Sequence, residues 1–226
     1  MKTIIVANWK MNPQTLAEAK RLFASVERGA AVKNIELVIC PPFVYCFLFS
    51  AFRLLGAQNC FWQKEGAYTG EISPQMLKSV NCRYVIVGHS ERRKFLREAD
   101  EVVNKKIKAA LEAGLKVIVC VAGLSQAKES LKGINLSKVK NLIIAYEPIF
   151  AVGTGRPCSI NRAEKMRILI NKQTGGKIPV LYGGSVTSQN ADHYVKKAGF
   201  QGLLIGGSSI KAKEFLTIVK KLDNKS

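Results

Sequence analysis

Two residues of this sequence, Glu147 and His89, have side chains suited to proton transfer, and each follows a short apolar run. Pro148 comes after Glu147, so we expect the carboxylate at a desolvated rim, where burial raises its pKa and strengthens it as a base. A salt-bridged rim glutamate fits the position equally well. His89 precedes Ser90-Glu91, which can begin a short helix. A helix N-terminus disfavours the imidazolium, and a neutral ring can donate a hydrogen bond to a carbonyl oxygen.

Asn8 and Lys10 follow the first apolar run of the chain. Lys10 can place a fixed cation over the same site, where it would attract an anionic substrate or pair with an acid such as Glu91. These two roles are compatible. Asn8 offers an amide that can hold the lysine in place.

Three glycine-rich turns, at 153–155, 183–185 and 206–207, can direct backbone N–H groups at a phosphate. One such turn is a weak signal because glycine turns are common. Two of these three follow the last two apolar runs of the chain, which makes the pattern more specific.

The segment after Glu147 has proline at one end, glycines at the other and apolar residues between them. Such a segment can swing as a lid that excludes water from a site, although an ordinary loop can have the same composition. The predicted lid comprises Pro148, Ile149, Phe150, Ala151, Val152, Gly153, Thr154 and Gly155.

Eight short apolar runs provide the elements that could position these residues. They are Ile4–Ala7, Leu37–Cys40, Leu54–Ala57, Tyr84–Val87, Val117–Val121, Leu142–Ala145, Val180–Tyr182 and Leu203–Ile205. Most intervals between the runs hold a helical pattern, which is typical of repeated βα units around a parallel sheet buried on both faces. We predict an α/β fold, a closed (β/α)₈ barrel with an outer ring of helices and a single domain over residues 1–226. An open doubly wound sheet fits the same pattern.

In such a barrel the chemistry lies at the carboxyl ends of the strands, and the loops after strands seven and eight frequently bind phosphate. The candidate residues would therefore meet at one mouth. Local signals also mark helix ends. Ser73-Pro74 reads as an N-cap and first position, Asn161 with Glu164 as a capping box, and Gly29, Gly56, Gly114 and Gly199 as C-terminal ends.

Composition excludes several classes of protein. Of the 226 residues 47% are apolar, which excludes a chain disordered by its charge. The longest uncharged stretch, Leu37 to Phe52, is shorter than the about 20 residues that span a bilayer, and Pro41-Pro42 interrupts it. The apolar run after Lys2 is too short for a secretory signal. Six cysteines without a CxxC pair, and two histidines, favour reduced thiols in the cytoplasm over a zinc or redox site.

The net charge of +19 suggests a nucleic-acid partner, but the distribution of the charge argues against one. The longest basic run is Arg92-Arg93-Lys94, without interleaved aromatic residues. Between Ala99 and Ala113 the apolar residues form one stripe, and three lysines fall on the other faces. We interpret them as a solvated helix surface; they are Lys105, Lys106 and Lys108.

Seven motifs occur in order along the whole chain. They are Asn8-Trp9-Lys10-Met11-Asn12, Ala57-Gln58-Asn59-Cys60, Gly66-Ala67-Tyr68-Thr69-Gly70-Glu71-Ile72-Ser73-Pro74, Gly88-His89-Ser90-Glu91-Arg92-Arg93, Ala145-Tyr146-Glu147-Pro148 with Gly153-Thr154-Gly155, Tyr182-Gly183-Gly184-Ser185-Val186, and Gly206-Gly207. With these motifs the chain resembles the triosephosphate isomerase family.

The resemblance implies an enzyme of glycolysis and gluconeogenesis that interconverts dihydroxyacetone phosphate and D-glyceraldehyde 3-phosphate through an enediolate, without a metal or organic cofactor. It makes Glu147 the base, His89 the neutral electrophile and Lys10 the cation that stabilises the enediolate. Asn8 would contact substrate, and Glu91 would be a nearby acid. The substrate and its phosphate would be held by Asn8, Lys10, Gly153, Ser185, Gly206 and Gly207.

The resemblance further implies a homodimer, with Thr69 near the partner's active site and with Glu71 and Arg92 bridging the interface. The chain is shorter than is usual in the family after Cys120 and again after Glu147, which predicts trimmed fifth and sixth helices. Short members of the family can be tetramers, so a tetramer is the alternative assembly.

The chain departs from the family pattern at the lid. Phe150 stands where the family usually has tryptophan, and Ala122-Gly123 lacks the usual acid. In the family that acid can accept the indole hydrogen bond when the lid closes, so both partners are missing together. We expect the lid to close with Ser185 and Tyr182 as latch residues.

Two rival functions fit parts of the sequence. Another phosphate-binding barrel enzyme would keep the glycine turns, but it gives no reason for His-Ser-Glu after the fourth strand or Glu-Pro after the sixth. A basic, nucleic-acid-binding scaffold on a barrel would not need Asn8, Lys10, His89 and Glu147 together.

Overall fold

The computed structural model describes residues 2–29, 31–52 and 54–223. Eight strands alternate with helices along the chain. The strands are β1 (Thr3–Asn8), β2 (Ile35–Cys40), β3 (Gly56–Ala57), β4 (Tyr84–Val87), β5 (Lys116–Val121), β6 (Leu142–Tyr146), β7 (Val180–Gly183) and β8 (Gly202–Ile205). The α-helices are α1 (Leu16–Gly29), α2 (Phe43–Cys46), α3 (Pro74–Ser79), α4 (Ser90–Leu96), α5 (Asp100–Glu112), α6 (Leu124–Ser130), α7 (Ile160–Gln173) and α8 (Ala212–Asp223).

Three shorter helical segments complete the connections. Phe47–Phe49 and Gly207–Ile210 are 3₁₀ turns, and His193–Lys197 is a π-helical turn between β7 and β8. Each of the eight predicted apolar runs overlaps a strand, although only Gly56 and Ala57 of the run Leu54–Ala57 belong to β3. In the part of the chain that the structure describes, no helix combines the length and apolarity that crossing a membrane requires.

The strands form one parallel sheet in the order β2-β1-β8-β7-β6-β5-β4-β3. The two ends of this sheet meet at a bridge between Ile39 and Leu55, where the Ile39 amide donates to the Leu54 carbonyl over 3.2 Å. The sheet thereby closes into a barrel, and the prediction of a (β/α)₈ fold is confirmed. Closure excludes the open doubly wound alternative.

Both faces of the sheet are buried, as the uniformly apolar runs predict. Alternate side chains fill the barrel interior: Ile4, Val6, Val38, Cys40, Tyr84, Ile86, Ile118, Cys120, Ile143, Ala145, Leu181 and Leu204. The other strand residues pack outward against the helices. Gly56 is required by this packing, because a Cβ at that position would lie 2.6 Å from the Cys40 sulfur.

Some helix ends follow the predicted signals. The Ser73 hydroxyl accepts a hydrogen bond from the Met76 amide, with Pro74 at the first position of α3. Helix α1 begins with a capping box that the sequence reading missed, in which Thr15 and Glu18 satisfy each other's backbone amides.

Other predictions about the helices are wrong. Helix α7 begins at Ile160 after Ser159, so Asn161 and Glu164 lie inside it and form no capping box. Gly56 belongs to β3 and ends no helix. The helices after β5 and β6 are α6 with 7 residues and α7 with 14, and that both are shorter than is usual in the family stays a prediction.

The predicted solvated face of α5 is correct for Lys105 and Lys108 and wrong for Lys106. That lysine is 2% exposed, and its ammonium contacts the buried carboxylate of Glu98. A lysine can extend its aliphatic stem through an apolar layer to reach a buried partner, which helical periodicity alone does not reveal.

Candidate active site

A cavity of about 410 Å³ opens at the carboxyl ends of the strands. Its lining includes all but one of the predicted catalytic and phosphate-binding residues, namely Asn8, Lys10, His89, Glu147, Gly153, Ser185, Gly206 and Gly207. Glu91 lies in an adjoining cavity that shares Asn8, Lys10 and His89 with the first. The barrel therefore brings together side chains that are up to 199 positions apart, counting from Asn8 to Gly207.

Glu147 is 3% exposed and follows the last residue of β6. One carboxylate oxygen lies 3.1 Å from His89 Nε2, and the other accepts the Ser90 amide over 3.1 Å. Burial raises the pKa of Glu147, but hydrogen bonds and charge from His89, with the Ser90 amide and the Cys120 thiol, outweigh it and place the pKa below the usual value. The predicted upward shift is therefore wrong for this arrangement.

His89 stands at the N-cap of α4, and its Nδ1 accepts the Glu91 amide over 3.3 Å. Because Nδ1 is an acceptor, the neutral ring carries its proton on Nε2 and donates it towards Glu147. Burial lowers the pKa of His89, while the carboxylate of Glu147 raises it, and the net direction is upward. The expected suppression of the imidazolium is thus overturned while Glu147 contacts the ring.

Lys10 has a positive φ of 55°, which is uncommon for a residue with a side chain. Asn8 Oδ1 accepts the Lys10 amide over 3.1 Å, as the sequence suggested, and Gln58 donates to the Lys10 carbonyl over 2.8 Å. The ammonium contacts Glu91. A Cβ on Gly206 would lie 2.8 Å from Lys10 Cε, so this glycine leaves room for the lysine to reach the cavity. Such local strain is typical of functional sites.

Sequence reasoning assigned no role to Gln58, Cys120 or Lys211. Gln58 supports Lys10, Cys120 bonds to Glu147, and Lys211 lines the cavity as a second cation. Gln58 and Cys120 stand at strand ends, which is the signal that could have identified them. Lys211 lies four residues beyond Gly207, after a 3₁₀ turn whose direction the sequence does not specify.

The predicted lid contacts the rest of the protein through Ala151, which is fully buried, and through Phe150, whose ring lies 4.5 Å from the Arg162 guanidinium. Ser185 donates from its hydroxyl to the Ala151 carbonyl over 2.6 Å, which supports its place as a latch. Tyr182 accepts the Cys158 amide over 3.1 Å, three residues beyond the lid, so its hydroxyl is not bonded to the lid itself. Ile149 is 71% exposed and Phe150 45% exposed, and both therefore have apolar surface left to bury.

The predicted interface residues lie on the surface of the single chain. Thr69 and Glu71 are exposed, and Arg92 donates to Glu98 over 3.2 Å. The surface also carries exposed apolar side chains such as Met11 and Phe47. In the described ranges no group of three or more His, Cys, Asp or Glu side chains is placed to hold a metal ion.

A buried carboxylate, a histidine and a lysine thus face one glycine-lined cavity at the carboxyl mouth of a (β/α)₈ barrel. This combination defines an acid–base barrel enzyme with room for a small anionic substrate. Comparison with known proteins narrows the class. The family model described as Triosephosphate isomerase matches residues 3–222, and the chain belongs to the triosephosphate isomerase family.

Individual relatives agree over almost the whole chain. A triosephosphate isomerase of Dictyoglomus thermophilum is 41% identical over 247 aligned positions, which cover 97% of this chain and 99% of that protein. One from Dehalococcoides mccartyi is 43% identical, covering 98% and 97%. The crystal structure of triosephosphate isomerase from Bartonella henselae superposes with a TM-score of 0.84 at 35% identity, covering 98% of this chain and 100% of that one.

Proposed function

We infer that this chain is an aldose–ketose isomerase that interconverts dihydroxyacetone phosphate and D-glyceraldehyde 3-phosphate, a reaction of glycolysis and gluconeogenesis. Membership of the triosephosphate isomerase family supports the reaction. The observation that carries the assignment to particular residues is that Asn8, Lys10, His89 and Glu147 line one cavity together with the glycine turns.

Glu147 is proposed as the base. Its carboxylate would take a proton from C1 of dihydroxyacetone phosphate, giving an enediolate, and return a proton to C2. The proton of the O1 hydroxyl would pass to O2 in the same sequence, which leaves an aldehyde at C1 and a hydroxyl at C2. The lowered pKa of Glu147 keeps it ionised at neutral pH, when a base must be free of its proton. Lys10 would stabilise the negative charge that develops on the enediolate oxygens.

His89 is proposed as the hydrogen-bond donor to those oxygens. When Glu147 turns from His89 towards the substrate, the larger of the two carboxylate contacts that raise the pKa of His89 is lost and that of Glu91 remains. Burial, the charge of Lys10 and the Glu91 amide on Nδ1 then favour the neutral ring, whose Nε2–H can donate to the substrate. Asn8 would position Lys10, and Glu91 would hold the lysine ammonium until substrate arrives.

The phosphate is proposed to lie against the glycine turns. Gly153, Gly206 and Gly207 would offer backbone N–H groups, and Ser185 would add its own. A Cβ on Gly207 would meet no atom within 4 Å, so the space beside this backbone is open for a ligand. Closure of the lid over the phosphate would protect the enediolate, which in water would lose its phosphate by elimination.

The assay that tests the proposed function supplies glyceraldehyde 3-phosphate to the purified protein and couples dihydroxyacetone phosphate formation to a reporter enzyme. Turnover without added metal or cofactor is the expected result. No turnover would remove the isomerase assignment and favour another phosphate-binding barrel enzyme.

The joint absence of the lid tryptophan and of its acidic hydrogen-bond partner gives a separate prediction. Gly123 has an extended backbone with φ of 171°, and a Cβ there meets no atom within 4 Å, so glutamate fits without strain. We expect Phe150→Trp alone to change kcat/KM little, because its indole N–H would have no acceptor, whereas Phe150→Trp with Gly123→Glu should raise it. Steady-state kinetics of both variants and of Gly123→Glu alone measure the coupling. A full gain from Phe150→Trp alone would refute it.

We also propose that the chain forms a homodimer through the surface that carries Thr69, Glu71 and Arg92. Glu71 is exposed, and Arg92 keeps 29% of its side chain exposed beside its bond to Glu98, so each can also contact a residue of a second copy. Exposed apolar side chains such as Met11 and Phe47 would be covered in that dimer. Light scattering should give twice the chain mass of 24.9 kDa; a monomer contradicts the proposal, and four times the mass gives the tetramer instead.

A cytoplasmic location is proposed on two grounds. All six cysteines are free and buried, as thiols are in a reducing compartment. The triose phosphates that the enzyme would convert are intermediates of glycolysis. The partner proposed for the active site is this small substrate and not a nucleic acid or a membrane.

A further inference from the structure

The amino end of the barrel, opposite the active mouth, carries two adjoining cavities of about 320 and 190 Å³. Both are lined by Lys2, Glu36 and Lys116; Arg83 lines the larger and Lys140 the smaller. All five residues stand just before a strand or at its first or second position. They therefore surround the closed end of the barrel, and we refer to them as the basal ring.

The basal ring contains four cations and one carboxylate. Lys116 donates to Glu36 over 3.0 Å and to the Tyr84 hydroxyl over 2.9 Å, so its ammonium is fixed in place. Among the described residues, Lys2, Arg83 and Lys140 make no ion pair, and all three are exposed. The ring thus carries an excess of three positive charges around a concave surface, and the proposed isomerisation uses none of them.

We propose that the basal ring binds a small anion with two or more phosphate groups. Lysine and arginine both bind phosphate, lysine as a point charge, and the planar guanidinium of Arg83 can hold two phosphate oxygens at once. The cations are divided between two cavities that share Lys2 and Lys116, which suits linked phosphates better than a single one. A bound anion would also reduce the electrostatic repulsion among the unpaired cations.

A nucleic-acid strand fits this surface less well. Proteins that bind single strands combine a basic groove with exposed aromatic rings on which the bases stack. The aromatic residue of this site, Tyr84, is fully buried, and its ring forms part of the barrel interior. The basal ring therefore offers positive charge but no exposed aromatic surface on which bases could stack.

The test measures binding of inorganic triphosphate to the full chain by titration calorimetry at low salt. Excess glycerol 3-phosphate is present to occupy the catalytic cavity. We expect one triphosphate per chain, bound about tenfold or more weakly by the double variant Arg83→Ser with Lys140→Ser. The matched control is Lys213→Ser with Lys220→Ser, which removes the same charge from exposed positions of α8 and should bind like the parent.

Isomerase activity of both double variants should equal that of the parent, because the basal ring and the catalytic cavity have no lining residue in common. Equal losses of triphosphate binding in the two variants would mean attraction by the overall charge and would overturn the proposal. Unchanged triphosphate binding in the double variant Arg83→Ser with Lys140→Ser would also overturn the proposal. A single-stranded oligonucleotide that binds through Arg83 and Lys140 while triphosphate does not would assign the surface to nucleic acid instead.

Discussion

Glu147→Gln is expected to lower kcat/KM by about 10²–10⁴-fold, the contribution typical of a positioned general base. The amide has the same shape as the carboxylate but cannot accept the proton from substrate. It can still accept the Ser90 amide, which lies 3.1 Å from the carboxylate, so the local fold should persist. The measurement is the coupled assay with glyceraldehyde 3-phosphate, together with circular dichroism to verify folding.

Two further variants serve as a graded comparison and as a matched control for this result. Glu147→Asp keeps a base but withdraws it by one methylene, and we expect a partial loss, since proton transfer depends on hydrogen-bond distance. Glu129→Gln makes the same change of carboxylate to amide at an exposed position of α6 and should leave kcat/KM unchanged. If kcat/KM of Glu147→Gln lay within threefold of the parent value, another group would be the base.

The positions of the candidate residues were predictable because a closed barrel brings all strand ends to one mouth. Once eight apolar runs are identified, Asn8, His89, Glu147 and Gly206 must converge, and the structure places them around one cavity. The glycines of the phosphate turns were equally visible, since their positions follow from the ends of β7 and β8.

The protonation of the site was not predictable, because it depends on contacts between side chains from different strands. Position alone gives Glu147 a raised pKa and His89 a lowered one. Their contact at 3.1 Å, with the Ser90 amide and Cys120 beside it, reverses both directions. A one-dimensional pattern specifies burial, but it does not specify which buried groups meet.

The buried contact of Lys106 was likewise not predictable from the sequence pattern. Replacement of this lysine has the largest expected effect on stability. Its ammonium contacts the carboxylate of Glu98 and donates to Asn59 Oδ1 over 2.9 Å. Arg92 is a second cation on the same carboxylate, at 3.2 Å. The side chains of Lys106 and Glu98 are 3% and 4% exposed. Helical periodicity places Lys106 beside two solvated lysines, and only the fold reveals its acidic partner.

We expect Lys106→Met to lower the free energy of unfolding by about 3 kcal/mol, the low end of the cost of breaking a buried ion pair, because Arg92 still pairs with Glu98. Methionine fills much of the space of the lysine stem, so lost packing contributes little. Urea unfolding at one fixed protein concentration measures the change, because association would otherwise shift the midpoint. Lys108→Met, an exposed position on the same helix, should change the free energy by less than about 0.5 kcal/mol.

The pH dependence of the unfolding free energy distinguishes an effect of the Lys106 charge from an effect of its packing. In the parent, burial raises the pKa of Glu98, but Lys106 and Arg92 outweigh burial and place it below the usual value. The stability that this carboxylate contributes is therefore complete above the unfolded pKa of about 4.3 and is lost as the pH falls through the lower folded value. Without Lys106 only Arg92 opposes burial, so the pKa of Glu98 in the variant lies above that in the parent, and acid destabilises the variant less than the parent. The difference in unfolding free energy between them should shrink from pH 7 to pH 4, and a constant difference would mean that Lys106 acts through packing alone.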